Sequence, residues 1–458
     1  MPALAKGGLT IVISPLVALM QDQVAALRLA GVAAETINSS RTREENVAAW
    51  RAAQAGDCRL LYMAPERLMT ERMITALGRI PLSFLIVDEA HCISQWGPSF
   101  RPEYEDLKRL GELFPDVPMA AFTATADEMT QAEIVEKLFA GQAKSFIAGF
   151  DRSNIRLSVE MKRDLKRQAL SFVKSQDGAP GIVYCLSRAK TERTAQHLND
   201  NGILALPYHA GMDKRERDEN QNRFMTEDGM VMVATIAFGM GIDKPDLRFV
   251  LHTDLPGSIE AYYQELGRAG RDGLPATAHM LYGMDDIRMR RMFIEEDPGD
   301  EDRKRREHKR LDALLGYCES PVCRRGALLA YFGEELDNCG NCDICLDPVE
   351  TADGTEAGQK VLSAVKRTGQ LFGAAHIIDV LTGAQTEKIE KFRHDELSTF
   401  GVGTEFKKPE WRSLIRQLVA GGFLSIDIQG HGGLRLGEKG SALLAGEMDF
   451  TYRPDRVK

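Results

Sequence analysis

Phe84-Leu-Ile-Val-Asp-Glu-Ala-His91 reads as a buried apolar strand that ends in two adjacent carboxylates. In a nucleotide hydrolase such a strand tip places Asp88 near the Mg²⁺ of a bound triphosphate. Glu89 then orients and deprotonates the attacking water. The competing reading, that Asp-Glu only caps the next helix, is weakened by the hydrophobic lead-in and by His91.

Similar short apolar runs surround it. Leu9-Thr-Ile-Val-Ile13, Leu60-Leu-Tyr-Met63 and Met119-Ala-Ala-Phe122 predict parallel strands, each followed by a polar turn and a helix. A second series follows Gly149-Phe-Asp-Arg-Ser153, with Gly181–Tyr184, Met230–Ala234, Phe249–Leu251 and His279–Leu281. The alternation predicts an α/β fold class with two such domains in tandem, at 1–150 and 151–287. Residues 297–310 read as a capped charged helix leading into a cysteine-rich helical segment, 288–349, and 350–358 as a linker. From 359 to 450 three helices precede a hairpin, Phe423–Ile428 and Leu434–Leu436, the pattern of a winged helix, and 451–458 is a tail.

With 43% hydrophobic and 27% charged residues among 458, the chain can bury several cores, which excludes a disordered chain and a single small module. No apolar run approaches a bilayer span and no export signal opens the sequence, so a cytoplasmic home and no membrane partner are expected. The net charge is −9, yet residues 357–458 carry 15 Lys/Arg against 12 Asp/Glu, so polyanion contact should be local.

Cys92 to Tyr104 interleaves Trp96, Phe100 and Arg101, which can stack bases and hold phosphates; the alternative is a buried aromatic anchor. Thr123 and Thr125 end a strand with two hydroxyls. Ala234-Thr-Ile-Ala-Phe-Gly-Met-Gly-Ile-Asp243 and Gln264-Glu-Leu-Gly-Arg-Ala-Gly-Arg-Asp-Gly273 follow in the second unit. Arg268 and Arg271, three apart, would share one face at a helix start and reach across a cleft to a γ-phosphate, or be merely an exposed charged helix end. Cys323, Cys339, Cys342 and Cys345 have the spacing of a knuckle around one tetrahedral ion; structural Zn²⁺ is favoured over an iron–sulfur cluster or free thiols. Cys58, Cys92, Cys185 and Cys318 read as core thiols.

In this order the motifs resemble those of the RecQ family of superfamily 2 DNA helicases. Ser14–Gln23 resembles motif Ia, Met63–Leu68 motif Ib, Asp88–His91 the Walker B motif, Trp96–Tyr104 the aromatic-rich loop and Thr123–Thr125 motif III. Tyr184–Lys190 resembles motif IV, with Tyr208–Met212 and motifs V and VI after it. The resemblance implies two RecA-like lobes with ATP between them, a zinc subdomain and a winged helix, moving 3′→5′ on DNA. It makes Asp88 the Mg²⁺ ligand, Glu89 the base and His91 a coupling residue. Trp96, Phe100 and Arg101 would sense DNA, and Thr123 and Thr125 link the lobes. Gly241 and Asp243 would face nucleotide and DNA, and Gln264, Arg268 and Arg271 complete the ATP site, with Arg271 as arginine finger. His431 would sit at the hairpin tip where strands separate, or be a turn residue. Single-stranded overhangs, forks and duplex ends are the implied DNA partners, with a single-strand-binding protein besides.

Three departures carry expectations. Pro98-Ser99 stand where the family usually has His-Asp, which should weaken coupling between DNA and ATP. Only 451–458 follow the winged helix, so the accessory C-terminal domain of many relatives is expected to be missing. No Gly-x-x-x-x-Gly-Lys-Ser/Thr occurs, so the first lobe is expected to be incomplete, Met1 to be internal to a longer frame, and ATP binding to be poor. The strand before that loop is expected at the centre of the first sheet, where its absence would leave backbone groups unpaired. A non-hydrolysing duplex or junction DNA-binding protein is the alternative function; an RNA helicase is disfavoured by the zinc segment and winged helix.

Overall fold

The computed structural model describes residues 2–95, 102–124, 126, 128–239, 244–427 and 433–454. Leu9–Ile13 (β1), Ala34–Ile37 (β2), Leu60–Met63 (β3), Leu82–Val87 (β4) and Met119–Ala121 (β5) form one parallel sheet in the order β2-β3-β1-β4-β5. All five residues of β1 are buried, as expected of a central strand covered on both faces. Val12 lies opposite Tyr62 of β3 on one side and Ile86 of β4 on the other.

The gap expected in the middle of this sheet does not separate these strands. Each pairs with the next, and among the described strands the free edges are those of β2 and β5. The three residues of β5 are all half-buried, so any unpaired backbone groups fall at a margin where water can reach them.

The second lobe holds Ile155–Met161 (β6), Gly181–Tyr184 (β7), Ala205–Tyr208 (β8), Val231–Ala234 (β9), Phe249–His252 (β10) and Ala276–Tyr282 (β11). They form a parallel sheet in the order β6-β11-β10-β7-β9-β8.

The helices Met284–Glu296, Glu301–Glu319 and Arg324–Tyr331 follow. Asp300 caps the second by accepting the Arg303 N–H at 2.8 Å, so the charged segment begins helically where its acids meet the helix dipole. The chain then returns to the edge of β6. Leu157 bridges Cys342 in parallel, and Asp343 Oδ2 accepts the Val159 N–H at 3.1 Å.

Ala352–Asp353 (β12) lies inside the expected linker and pairs antiparallel with Thr451–Tyr452 (β15), inside the expected tail; the helix Thr355–Arg367 begins straight after β12. Helices Ala374–Leu381 and Lys408–Ala420 and the hairpin Leu424–Asp427 (β13) with Gly433–Leu436 (β14) complete the winged-helix pattern. The hairpin is not terminal, since the helix Glu438–Ala445 follows it. One apolar core runs without a break from Leu157 and Met280 of the second lobe through Leu314 to Trp411 and Leu418, whereas the first lobe has its own core around Ile11, Leu61 and Leu85. Among the described residues no helix is long and apolar enough to cross a membrane.

Candidate functional site

The C-terminal end of β4 delivers Asp88 and Glu89 beside β1. The Asp88 N–H donates to Ile13 O at 2.8 Å. Its carboxylate accepts the Glu89 N–H at 3.0 Å on Oδ1 and Gln23 Nε2 at 3.2 Å on Oδ2, and the buried Tyr104 hydroxyl donates to its carbonyl. Glu89 has φ of 48°, in the left-handed region that costs a non-glycine residue about 1 kcal/mol or more. Flanking bonds hold it there, with Ala90 N–H on Phe122 O at 2.8 Å and Cys92 N–H on Glu89 O at 2.9 Å. Burial and the Asp88 charge push the Glu89 carboxyl up to about 7, against the pull of Arg268. A carboxyl titrating there can accept a proton from water at neutral pH.

His91 is buried and touches both lobes. Gln264 Nε2 stands 3.4 Å from its Nε2; an amide nitrogen only donates, so the imidazole accepts on Nε2 and carries its proton on Nδ1. Nδ1 lies 2.9 Å from Thr123 Oγ1 and 3.4 Å from Glu89 Oε2. Burial, with the positive charge of Arg310, lowers His91 to about 4, which keeps the ring neutral as this network requires.

Gln264 lies on the helix Ile259–Leu266 of the second lobe. Arg268 and Arg271, expected at a helix start, follow the end of this one. Gly267, Gly270 and Gly273 interrupt the helix. At Gly270, with φ of 58°, a Cβ would stand 2.5 Å from Asn154 Nδ2 and 2.8 Å from Leu274 O. Arg268 is buried, donates to Gly239 O and has no hydrogen-bond partner for its Nε among the described residues, while Arg271 is exposed. Gln23, Glu89, Arg152, Gln264, Arg268 and Arg271 line one cleft of about 720 Å³ between the lobes, within the range of small-molecule sites. A second groove, about 790 Å³, runs along strand ends of both lobes past Leu16, Leu186, Arg188 and Thr235.

Cys323, Cys339, Cys342 and Cys345 bring their four Sγ atoms within 4.8 Å of one another. Four thiolates at about 2.3 Å from one tetrahedral ion would lie about 3.8 Å apart, so the donor set fits Zn²⁺. Backbone N–H groups of Gly326, Asn341 and Cys345 donate to Cys323, Cys339 and Cys342 Sγ at 3.3–3.4 Å, as suits thiolate acceptors. Cys58, Cys92, Cys185 and Cys318 are buried and lie outside this cluster.

Asp88, Glu89, His91, Thr123, Gln264, Arg268 and Arg271 therefore converge around one interlobe cleft, and the four cysteines on one centre. Trp96, Phe100, Arg101, Thr125, Gly241, Asp243 and His431 lie outside the described residues. Sequence reasoning gave no role to Gln23, Tyr104 or Arg310. Gln23 is 65 residues from Asp88, and only the pairing of β1 with β4 brings them together.

The comparisons agree with this geometry. Residues 2–134 match the DEAD/DEAH box helicase family, 162–273 the helicase conserved C-terminal domain, 284–346 the RecQ zinc-binding domain and 348–458 the RQC domain. ATP-dependent DNA helicase RecQ of Haemophilus influenzae is 45% identical over 458 residues, 100% of this chain and 74% of that protein. The Bacillus subtilis protein of the same name is 37% identical over 454 residues, 99% of this chain and 77% of that one. Among solved structures, the DUF1998 helicase MrfA bound to DNA shares the fold, with a TM-score of 0.51 at 17% identity over 74% of this chain and 52% of that one.

Proposed function

The chain belongs to the RecQ family of ATP-dependent DNA helicases, and from that premise we propose how its residues divide the work. Asp88 would hold the Mg²⁺ of the nucleotide, a hard cation suited to its carboxylate oxygens, which would supply charge neutralisation at the phosphates. Glu89 takes the proton of the attacking water. Arg268 and Arg271 face the γ-phosphate from the second lobe, with Arg271 as the finger. The groove past Leu16 and Arg188 carries one DNA strand, with Trp96, Phe100, Arg101, Thr125, Gly241 and Asp243 reading its presence, and movement is 3′→5′. The winged helix grips duplex DNA with His431 at the junction. The motor lobes span 1–150 and 151–287, the zinc subdomain 288–349 and the winged helix 359–450.

The observation that supports this most is the run of side chains from Glu89 through His91 to Gln264, which crosses from one lobe to the other at 3.4 Å per step. A base connected in this way to the opposite lobe can feel whether the cleft is closed. Recombination, repair and replication in the cytoplasm, on overhangs, forks and duplex ends and beside a single-strand-binding protein, are the proposed setting.

The 458 residues contain no phosphate loop, so a polypeptide of these residues alone is proposed to bind ATP poorly. Joined to a phosphate-loop strand and helix, the completed chain should hydrolyse ATP in response to DNA, and Asp88→Asn should abolish this. Asp88→Asn-sensitive hydrolysis by the 458 residues alone would overturn the first statement. Insensitivity of the completed chain would overturn the assignment of the site. A second reading, DNA binding without hydrolysis, is favoured by the core that joins the second lobe, zinc subdomain and winged helix independently of the first lobe. Salt-sensitive binding of duplex DNA by the 458 residues would support it. Unwinding of RNA but not DNA duplexes would count against both.

A further inference from the structure

The helix Glu301–Glu319 belongs to the zinc-binding region, yet its charged face lies against both motor lobes. Arg306 pairs with Glu133 of the first lobe at 3.1 Å. Four residues on, the buried Arg310 reaches both lobes with one guanidinium. Its Nε lies 3.1 Å from Glu260 Oε1 of the second lobe, Nη2 donates to Thr130 Oγ1 of the first lobe at 3.3 Å, and Nη1 meets Glu307 at 2.9 Å. Tyr331 donates a further bond to Glu260 Oε1 at 2.7 Å. Glu260 and Gln264 sit on one helix four residues apart and so share a face.

We propose that Arg310 is a positioning residue for ATP hydrolysis: by holding Glu260 and Thr130 together, it sets the separation across which Gln264 reaches His91. The proposal rests on the reading of His91 and Gln264 as the interlobe relay. A fork-shaped guanidinium suits the task, because its donors point in fixed, different directions and each lobe can occupy one. The zinc region thereby takes part in the nucleotide site without touching nucleotide. Its charge also contributes, after burial, to keeping His91 neutral.

The test compares Arg310→Gln, Arg310→Lys and Thr130→Val. Arg310→Gln strands a buried carboxylate and can fail to fold, so Thr130→Val, which keeps the ion pair with Glu260 and removes the hydrogen bond from Arg310 to the first lobe, is the safer probe. Nitroxides on the exposed Glu44 and Asp200 report the interlobe distance by double electron–electron resonance, without ATP. The expected result is a broadened distance distribution in Thr130→Val and Arg310→Gln at unchanged zinc content. In the completed chain, kcat for DNA-stimulated hydrolysis should fall by about 10-fold or more in Arg310→Gln, with KM for ATP nearly unchanged, as misplacement of catalytic groups predicts. Arg310→Lys should recover part of the loss. An unchanged distance in zinc-loaded Thr130→Val, or a rise in KM with kcat intact, would overturn the proposal. Loss of the relay's own role would show differently, as full activity in Gln264→Ala.

Discussion

A base must be unprotonated to take a proton and basic enough to hold it, and the environment of Glu89 meets both conditions near neutral pH. Burial and Asp88 raise its pKa to about 7, while Arg268 opposes them. Glu89→Gln preserves shape and removes the proton acceptor, so kcat of the completed chain should fall by about 10²- to 10⁴-fold while nucleotide binding survives. Single-turnover hydrolysis beside a binding titration checks this, and equal loss of both would contradict it. A second titrating site lies in the winged helix, where His376 Nε2 and the buried His394 Nδ1 are 2.7 Å apart. Burial lowers both, His376 to about 4; His394 and Lys388 add to the lowering of His376, Asp379 opposes it, and Asp395 opposes that of His394. Unfolded histidine titrates near about 6.5, so between roughly pH 4 and 6.5 the unfolded chain binds more protons than the native one. Stability is therefore complete above this window and lost as pH falls through it. His376→Gln should flatten the dependence of the urea midpoint on pH there; an unchanged slope would rule out this pair as its source.

At the scale of elements, the zinc knuckle is bound to the sheet as well as to itself. Leu157 N–H reaches Asn341 O at 3.4 Å, Val159 N–H reaches Asp343, and Asp343 pairs with the fully buried Arg324. Removing Zn²⁺ should loosen the knuckle and release these contacts together. Chelation is expected to raise hydrogen exchange at Leu157 and Val159 while Val183, in the central strand β7, stays protected; exchange at β6 indifferent to chelation would disprove the link. The same strand explains what the sequence could and could not convey. β1, β3, β4, β7, β9 and β10 are legible because these strands, each with neighbours on both sides, read as largely apolar runs. β2, β6 and β8 all lie at sheet edges. Ile155-Arg-Leu-Ser-Val-Glu-Met161 alternates in part, and Ala205-Leu-Pro-Tyr208 contains a proline, so neither shows such a run. The cysteines and the Asp88-Glu89 tip were legible because their chemistry lies in local spacing. Gln23 and Arg310 were not, since Asp88 lies 65 residues from Gln23, and Glu260 and Thr130 lie 50 or more residues from Arg310, so that only the fold brings them close.

In the whole molecule, the second lobe, zinc subdomain and winged helix share a core, and a buried polar cluster lies within it. Glu319 of the zinc-region helix accepts from Tyr282 of β11, pairs with Arg416 of the winged helix, and lies 3.5 Å from Arg453 beyond β15. Arg416 and Glu319 are both buried, at 1% and 8% exposure, so each depends on the other for its charge. The helix that carries Arg416 is largely spent in this packing: its residues 413–419 are all buried, leaving only its first turn and Arg412 exposed. Arg416→Met should cost roughly 3–5 kcal/mol, because it leaves Glu319 buried with only the more distant Arg453 opposite. Glu319→Gln combined with Arg416→Met removes both charges and should cost less than Arg416→Met alone, the signature of a coupled pair. The loss should fall on unfolding of the second lobe and everything built on it, with the first lobe, which has its own core, melting as before. Denaturant unfolding followed at Trp411 and, separately, at Trp50 distinguishes the two, and strictly additive single-variant costs would show that Glu319 and Arg416 do not act as a unit.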